Sequence, residues 1–212
     1  MLAADNLSCQ RGERTLFSAL SFALQPGWLL HVRGANGSGK TSLLRQVAGL
    51  TLPTAGQVQW NGQAISADAE GYRGSLLYLG HSPALKDDFS AVENLCHASR
   101  LAGEHVDEEL ACETLGRWGL KGRTQLPCRS LSQGQRRRVG LARLALTTRP
   151  LWLLDEPLAS LDAQATALLE SLLERHLARG GLALLTTHQP IKTPPERTRE
   201  LLLDPALQSE IH

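Results

Sequence analysis

GANGSGKT, residues 34–41, is flanked by GWLLHVRG (27–34) and TSLLRQVAGL (41–50). The upstream run reads as a buried strand, and the downstream one as a helix with Leu43, Leu44, Val47 and Leu50 on its apolar side. Strand, loop and helix in that order, with Gly34, four residues, then Gly39, Lys40 and Thr41, form the pattern in which successive backbone N–H groups wrap a phosphate. Glycine is required there because the loop takes dihedrals closed to side chains and its backbone must approach the oxygens closely. Lys40 is expected to reach the β- and γ-phosphates as a point charge, and the Thr41 hydroxyl to ligate Mg²⁺. The loop by itself says nucleotide and leaves the reaction open.

Composition narrows the classes. A chain of 212 residues, 42% hydrophobic, can bury the core of one domain with an inserted lobe. The formal net charge of +1 gives no electrostatic footprint for nucleic acid. The run Arg136, Arg137, Arg138 is expected to be a solvated helix face, since the compensating acids are spread along the chain. Cys9, Cys96, Cys112 and Cys128 show no metal-ligand spacing and read as free thiols of a reducing compartment. The opening MLAADNLSCQRGER has no apolar run of signal-peptide length, and no run reaches the ~18 apolar residues of a membrane span. The expectation is a cytoplasmic location, with any membrane role exercised through a partner.

Residues 1–33 read as short strands punctuated by RGER (11–14) and QPG (25–27). TLPTAGQVQWNGQAI (51–65) reads as a turn, a strand, an Asn61-Gly62 hairpin and a return strand. SLLYLG (75–80) is another buried strand. From Ser82 to about Pro150 the period becomes helical, with AVENLCHASRLAG and DEELACETLGRWGL spacing apolar residues at three and four. Strands resume at PLWLLDEP (150–157) and GLALLTTH (181–188), with the helix AQATALLESLLERHLARG (163–180) between them. The fold class implied is α/β, with parallel strands, crossover helices and one helical insertion.

Two further stretches carry chemistry. Leu151–Leu154 followed by Asp155 and Glu156 reads as a strand ending in adjacent carboxylates, whose side chains point to opposite faces and so divide the labour. Asp155 suits Mg²⁺ binding through water, and Glu156 suits polarising a water that attacks the γ-phosphate. In LSQGQRRRVGLARL (131–144), Ser132 and Gly134 sit at a helix start, where free N–H groups and the positive dipole end favour an anion. Alone that stretch is a capped helix.

Taken together, the chain resembles the nucleotide-binding subunits of ABC transporters over essentially its whole length. Gly34–Thr41 matches the Walker A loop, with Asn36, Gly37, Ser38 and Ser42 among its expected nucleotide contacts. Leu131–Gln135 matches the LSGGQ signature, whose Ser132 and Gly134 are expected nearest the γ-phosphate, with Gln135 also expected to contact the nucleotide. Leu151–Glu156 matches Walker B with its catalytic Glu, SLD (160–162) matches the D-loop with Asp162, and His188 matches the switch histidine. The resemblance implies a P-loop NTPase core with N-terminal antiparallel strands and an inserted helical subdomain, residues 82–150 of a single domain 1–212. It also implies ATP and Mg²⁺ as cofactors, and a homodimer with each ATP clamped between Lys40 of one chain and the Ser132 helix of the other. Three positions depart from the pattern. Gln133 replaces the first Gly of the signature, His81 stands where a Gln is usual, and Arg11 lies where many members place an aromatic that stacks on adenine; a guanidinium plane can stack there too.

LLYLGHSPALKDDFSAVENL, LSQGQRRRVGLARL and GGLALLTTHQP are similar to the ATP-binding subunits of bacterial haem exporters used in cytochrome c maturation. That likeness implies integral membrane partner subunits of a haem-handling complex and a peripheral place on the cytoplasmic face of the bacterial inner membrane. Other transport cargo, a small-molecule kinase, and a soluble ABC protein acting on ribosomes or DNA are the competing readings. A kinase has no use for the Leu131 signature or His188, and the soluble types carry a second nucleotide domain or a long coiled coil. No residue chemistry points to haem itself: His97 beside Cys96 reads as a helix residue, and no haem-attachment pair exists.

Overall fold

Strands covered on both faces need no polar alternation, which is how the Leu-rich runs of this chain are used. The computed structural model describes residues 1–203. In chain order its elements are β1 (Leu2–Arg11), β2 (Arg14–Leu24), β3 (Leu29–Arg33), α1 (Lys40–Val47), β4 (Ala55–Trp60), β5 (Gln63–Ala64), α2 (Ala69–Gly74) and β6 (Leu76–Leu79). They continue with α3 (Ala91–Leu101), α4 (Glu108–Leu115), α5 (Gln133–Ala142), β7 (Leu151–Asp155), α6 (Ala163–Ala178), β8 (Leu182–Thr186) and β9 (Thr198–Leu202). The strands β6-β7-β8-β3-β9 form a parallel sheet in that order, and β2-β1-β4-β5 form an antiparallel one.

The pleat of β7 divides the interior in two. Leu151 and Leu153 pack on one side with Leu43, Leu44 and Val47 of α1 and with Leu2, Phe17 and Leu24 of the antiparallel sheet. Trp152 and Leu154 pack on the other, against Leu95 of α3, Leu115 of α4, Leu141 of α5 and Leu169 of α6. Each such fully buried Leu contributes about 1.5–3 kcal/mol. The strand is thereby fixed from both faces, and its last residue, Asp155, is held where the sheet ends.

The helices between β6 and β7 are built by capping as well as by period. Ser90 and Glu93 form a reciprocal box at the start of α3, with Glu93 N donating to Ser90 Oγ at 3.1 Å and Ser90 N to Glu93 Oε2 at 2.7 Å. Asp107 caps α4 through the Leu110 amide at 2.8 Å. Buried Asn94 clamps the segment before α3, accepting from Lys86 N at 2.8 Å and donating to the carbonyls of Lys86, Phe89 and Ser90.

Several sequence expectations need correcting here. The helix expected through DEELACETLGRWGL ends as α4 at Leu115 and passes into a π-helical turn, Gly116–Leu120, in which Gly119 takes φ 75°. Leu50, expected on the apolar side of α1, lies past its end and is exposed, because Gly49 at φ 67° has already turned the chain. The strands β1 and β2 are long rather than short, with 10 and 11 residues. Both α2 and the edge strand β9 went unread, being short and, in β9, mostly exposed. The expected domain runs to residue 212, and residues 204–212 lie outside the described ones.

Gly56 shows where backbone, not side chain, limits the antiparallel sheet. It has φ 78°, and a Cβ there would land on the carbonyl oxygens of Asp5 and Asn6 in β1. Gly62, at φ 82°, has open space around it. We expect Gly56→Ala to lower unfolding stability by about 3 kcal/mol and Gly62→Ala by about 1 kcal/mol. Chemical denaturation checks this; equal losses would mean the close approach to β1 relaxes freely.

Candidate nucleotide site

The loop after β3 is shaped by contacts its glycines permit. Gly39 has φ 103°, and a Cβ there would come within 3.1 Å of Leu16 Cβ and of the Phe17 ring. Lys40, the first residue of α1, is 8% exposed and donates through Nζ to the carbonyls of Gly34 at 2.9 Å and Ala35 at 3.0 Å. An ammonium has three protons, so one donor is left for a ligand while the loop itself fixes the charge. Ser38 is buried, and its Oγ has no partner among the described residues.

The carboxylates stand at the end of the neighbouring strand. Asp155 pairs in register with Thr186 of β8. Thr186 Oγ1 donates to Asp155 Oδ1 at 2.8 Å and accepts from Glu156 N at 2.9 Å, so one hydroxyl ties the two acids together. Asp155 is 1% exposed, yet its Oδ2 has no partner among the described residues. A buried carboxylate oxygen without a donor is what a hydrated Mg²⁺ would satisfy, so the residues present fit that ion. Glu156 differs from the sequence expectation in how it diverges from Asp155. The strand stops at Asp155, and Glu156 takes φ 50°, so a turn rather than the pleat re-aims its side chain. His188 Nε2 stands 3.5 Å from Glu156 Oε1, close enough for an ion-pair contact if protonated and too long for a strong hydrogen bond.

A cavity of about 690 Å³ gathers these groups: Arg11, Asn36, Gly37, Gly39, Lys40, Thr41, Ser42, His81, Asp155, Glu156 and His188 all line it, with Arg14. Gly34 instead lines the adjoining cleft beside β9, which also reaches His188. Ser132, Gly134, Gln135 and Asp162 are not brought to the cavity. Ser132 caps α5 in a reciprocal box, with Ser132 N donating to Gln135 Oε1 at 2.9 Å and Gln135 N to Ser132 Oγ at 3.3 Å. A Cβ on Gly134 would meet Ser160 O at 2.8 Å, which explains a glycine inside a helix. Asp162 caps α6 through the Ala165 amide and accepts from Arg138 Nη2 at 2.7 Å; these contacts hold its carboxyl below the ordinary range.

The arginine run is not the solvated face the charge pattern suggested. Arg137 is 5% exposed and donates four hydrogen bonds to backbone carbonyls: Gly80 and His81 at 2.8 Å each, Asp155 at 2.8 Å and Glu156 at 2.6 Å. Burial pushes its pKa down, and the Asp155 and Glu156 charges push it back up. Arg136 pairs with Asp87 at 2.5 Å and Arg138 with Asp162. The missed signal was positional: Arg137 precedes Leu141 by four residues, so it shares the buried side of α5.

Comparison with known proteins identifies the family and the fold. Residues 17–159 match the family model described as ABC transporter. The chain is similar to the protein named cytochrome c biogenesis ATP-binding export protein CcmA of Dechloromonas aromatica, 49% identical over 96% of this chain and 100% of the relative. The protein of the same name from Nitrosomonas europaea is 51% identical over 96% of this chain and 95% of its own. Among solved structures, an ATP-binding subunit of an ABC transporter aligns with TM-score 0.79 and 26% identity, covering 89% of this chain and 79% of its own. The dimeric ATP-binding cassette MJ0796, bound to ADP and Pi, shares the fold at TM-score 0.75 and 24% identity, over 89% of this chain and 88% of its own.

Because Arg137 holds the backbone at Asp155 and Glu156 without lining the cavity itself, Arg137→Ala should cut kcat for nucleotide hydrolysis about tenfold or more while the dissociation constant moves by less than about threefold. Arg137→Lys should not rescue it, since one ammonium cannot span four carbonyls. Matching losses in kcat and affinity would refute the positioning role.

Proposed function

The chain belongs to the ABC transporter ATP-binding family, and from that premise we propose that it is the ATP-hydrolysing subunit of an export complex serving c-type cytochrome biogenesis. Identities near one half over nearly the full length of relatives named for that process support the reading. The observation that carries the hydrolytic part is the convergence of Lys40, Asp155, Glu156 and His188 on one cavity.

In the mechanism that follows, Lys40 and the loop amides hold the triphosphate. Thr41 and Asp155 are the residues that would hold Mg²⁺, whose charge, when bound, offsets that developing on the phosphate oxygens. Glu156 orients the attacking water and takes its proton at its carboxylate. His188 stands beside that carboxylate and steadies it. His81 carries the state of the site into the helices between β6 and β7, since its carbonyl and that of Glu156 are bound to one guanidinium.

One chain leaves the site half built. The α5 start, with Ser132, Gly134 and Gln135, lies away from the Lys40 cavity, which supports a sandwich of two copies in which each α5 start closes the partner's site. Membrane subunits are proposed as further partners. No described helix is long and apolar enough to cross a bilayer, and a peripheral place on the cytoplasmic face of the inner membrane fits a subunit whose cargo path lies in other chains. The net charge of +1 offers no reason to add nucleic acid.

Two experiments test this. Lys40→Ala should abolish ATP binding, whereas Glu156→Gln should retain binding, lose hydrolysis by about a hundredfold or more, and form an ATP-dependent dimer seen by size-exclusion chromatography. Equal loss of binding in both would remove the division of roles. In cells, Glu156→Gln should stop c-type cytochrome maturation and leave haem synthesis and b-type cytochromes intact; normal maturation would sink the cytochrome assignment and leave the ATPase standing.

A further inference from the structure

We propose that His31 is a positioning residue for nucleotide hydrolysis: its ring holds the chain at Thr187 and so fixes where His188 enters the cavity. The inference rests on the nucleotide-hydrolase reading above. It adds a residue that lines not the nucleotide cavity but the adjoining cleft beside β9, which His188 also reaches.

His31 breaks the pattern of its own strand. In β3, Leu30 and Val32 belong to the interior on the α1 side and Leu29 to the interior on the α3–α6 side, so the pleat turns residue 31 to the side of Leu29. A leucine would suit that place, and a histidine stands there with its side chain 14% exposed. A part-buried imidazole needs partners for its ring nitrogens. Nε2 lies 3.4 Å from the Thr187 carbonyl oxygen, and Nδ1 lies 4.0 Å from Glu200 Oε1. A carbonyl only accepts, so Nε2 carries the proton in this contact. Glu200 faces His31 in the β3–β9 register, and its two oxygens accept from Arg33 Nη1 at 3.3 and 3.2 Å.

The contact falls where the sheet stops supplying bonds. The register of β3 with β8 ends at Val32 and Thr186, so the carbonyl of Thr187 lies past the ladder, and His31 reaches it with a side chain. Three consecutive residues then act on the catalytic acid. Thr186 ties Asp155 to the Glu156 amide, Thr187 accepts from His31, and His188 places Nε2 3.5 Å from Glu156 Oε1. On the far side of His188, the Gln189 amide donates to Thr187 Oγ1 at 3.0 Å. The His188 side chain is itself half exposed, so the backbone on either side of it, more than packing, decides where its ring stands. Without the Nε2 donor the Thr187 carbonyl is released, and His188 loses its fixed distance to Glu156.

The test uses the purified full-length chain with Mg²⁺ and ATP, measuring the dissociation constant and kcat for the wild type and for His31→Leu, His31→Gln and His31→Asn. His31→Leu keeps the bulk and removes the donor. Its kcat should fall about fivefold, the worth of one neutral hydrogen bond, while the dissociation constant moves by less than about twofold. His31→Gln brings an amide N–H close to the place of Nε2 and should keep kcat within about twofold of the wild type, whereas His31→Asn, one bond shorter, should fall with His31→Leu. If His31→Leu does not fold, the Gln and Asn variants make the same comparison. Equal loss in Gln and Asn, or full kcat in every variant, would overturn the inference and leave the hydrolase reading intact. So would a dissociation constant that rises as kcat falls, because the damage would then lie in the phosphate loop that follows β3. A wild-type chain that neither binds nor hydrolyses ATP would overturn that reading and the inference with it.

Discussion

One buried guanidinium holds the working parts of this protein in register. Arg137 reaches from α5 to four carbonyl oxygens, two where the chain leaves β6 and two where it leaves β7. A charge taken out of water costs several kcal/mol unless it is fully partnered. Here the carbonyls supply that partnership at 2.6–2.8 Å, and only Nε is left without an acceptor among the described residues. Neither strand end could shift by even an ångström without breaking a bond of this set, so the helix start at Ser132, the turn at His81 and the acid at Glu156 share one anchor.

Around that anchor the sheet works as a partition. Leu30, Val32, Leu151, Leu153, Leu182 and Leu184 belong to the interior on the α1 side, and Leu77, Trp152, Leu154, Ala183 and Leu185 to the interior on the α3–α6 side. The candidate nucleotide cavity lies where the partition ends, at the carboxyl ends of β3 and β7, the edge at which parallel sheets present loops to one ligand. The pair Asp87–Arg136 adds a second, weaker link between the segment after His81 and α5, and Asp88–Arg129 ties the same segment to the turn that precedes α5.

Much of this was legible in the sequence because glycines, prolines and acids punctuate long apolar runs. The loop at Gly34–Thr41, the strand ending in Asp155, the Asn61-Gly62 hairpin and the parallel sheet all follow from period and turn chemistry. What escaped was set by tertiary partners. Arg137 looked like one of three surface charges because a pattern of like residues does not say which one faces carbonyls across the fold. The role of Thr186 lay in a register that only the β7–β8 pairing creates. The strand β9 escaped because its edge position leaves it with little apolar content, and Glu156 was given the right company for a different geometric reason, a left-handed turn in place of a pleat.

Gly134 has a consequence that reaches past this chain. Inside a helix, alanine is favoured over glycine by about 1 kcal/mol, yet the Ser160 carbonyl fills the space a methyl group would need. Position 134 is therefore closed to any side chain while the loop at Ser160 keeps its path, whatever residue stands at 160, because the obstructing oxygen belongs to the backbone.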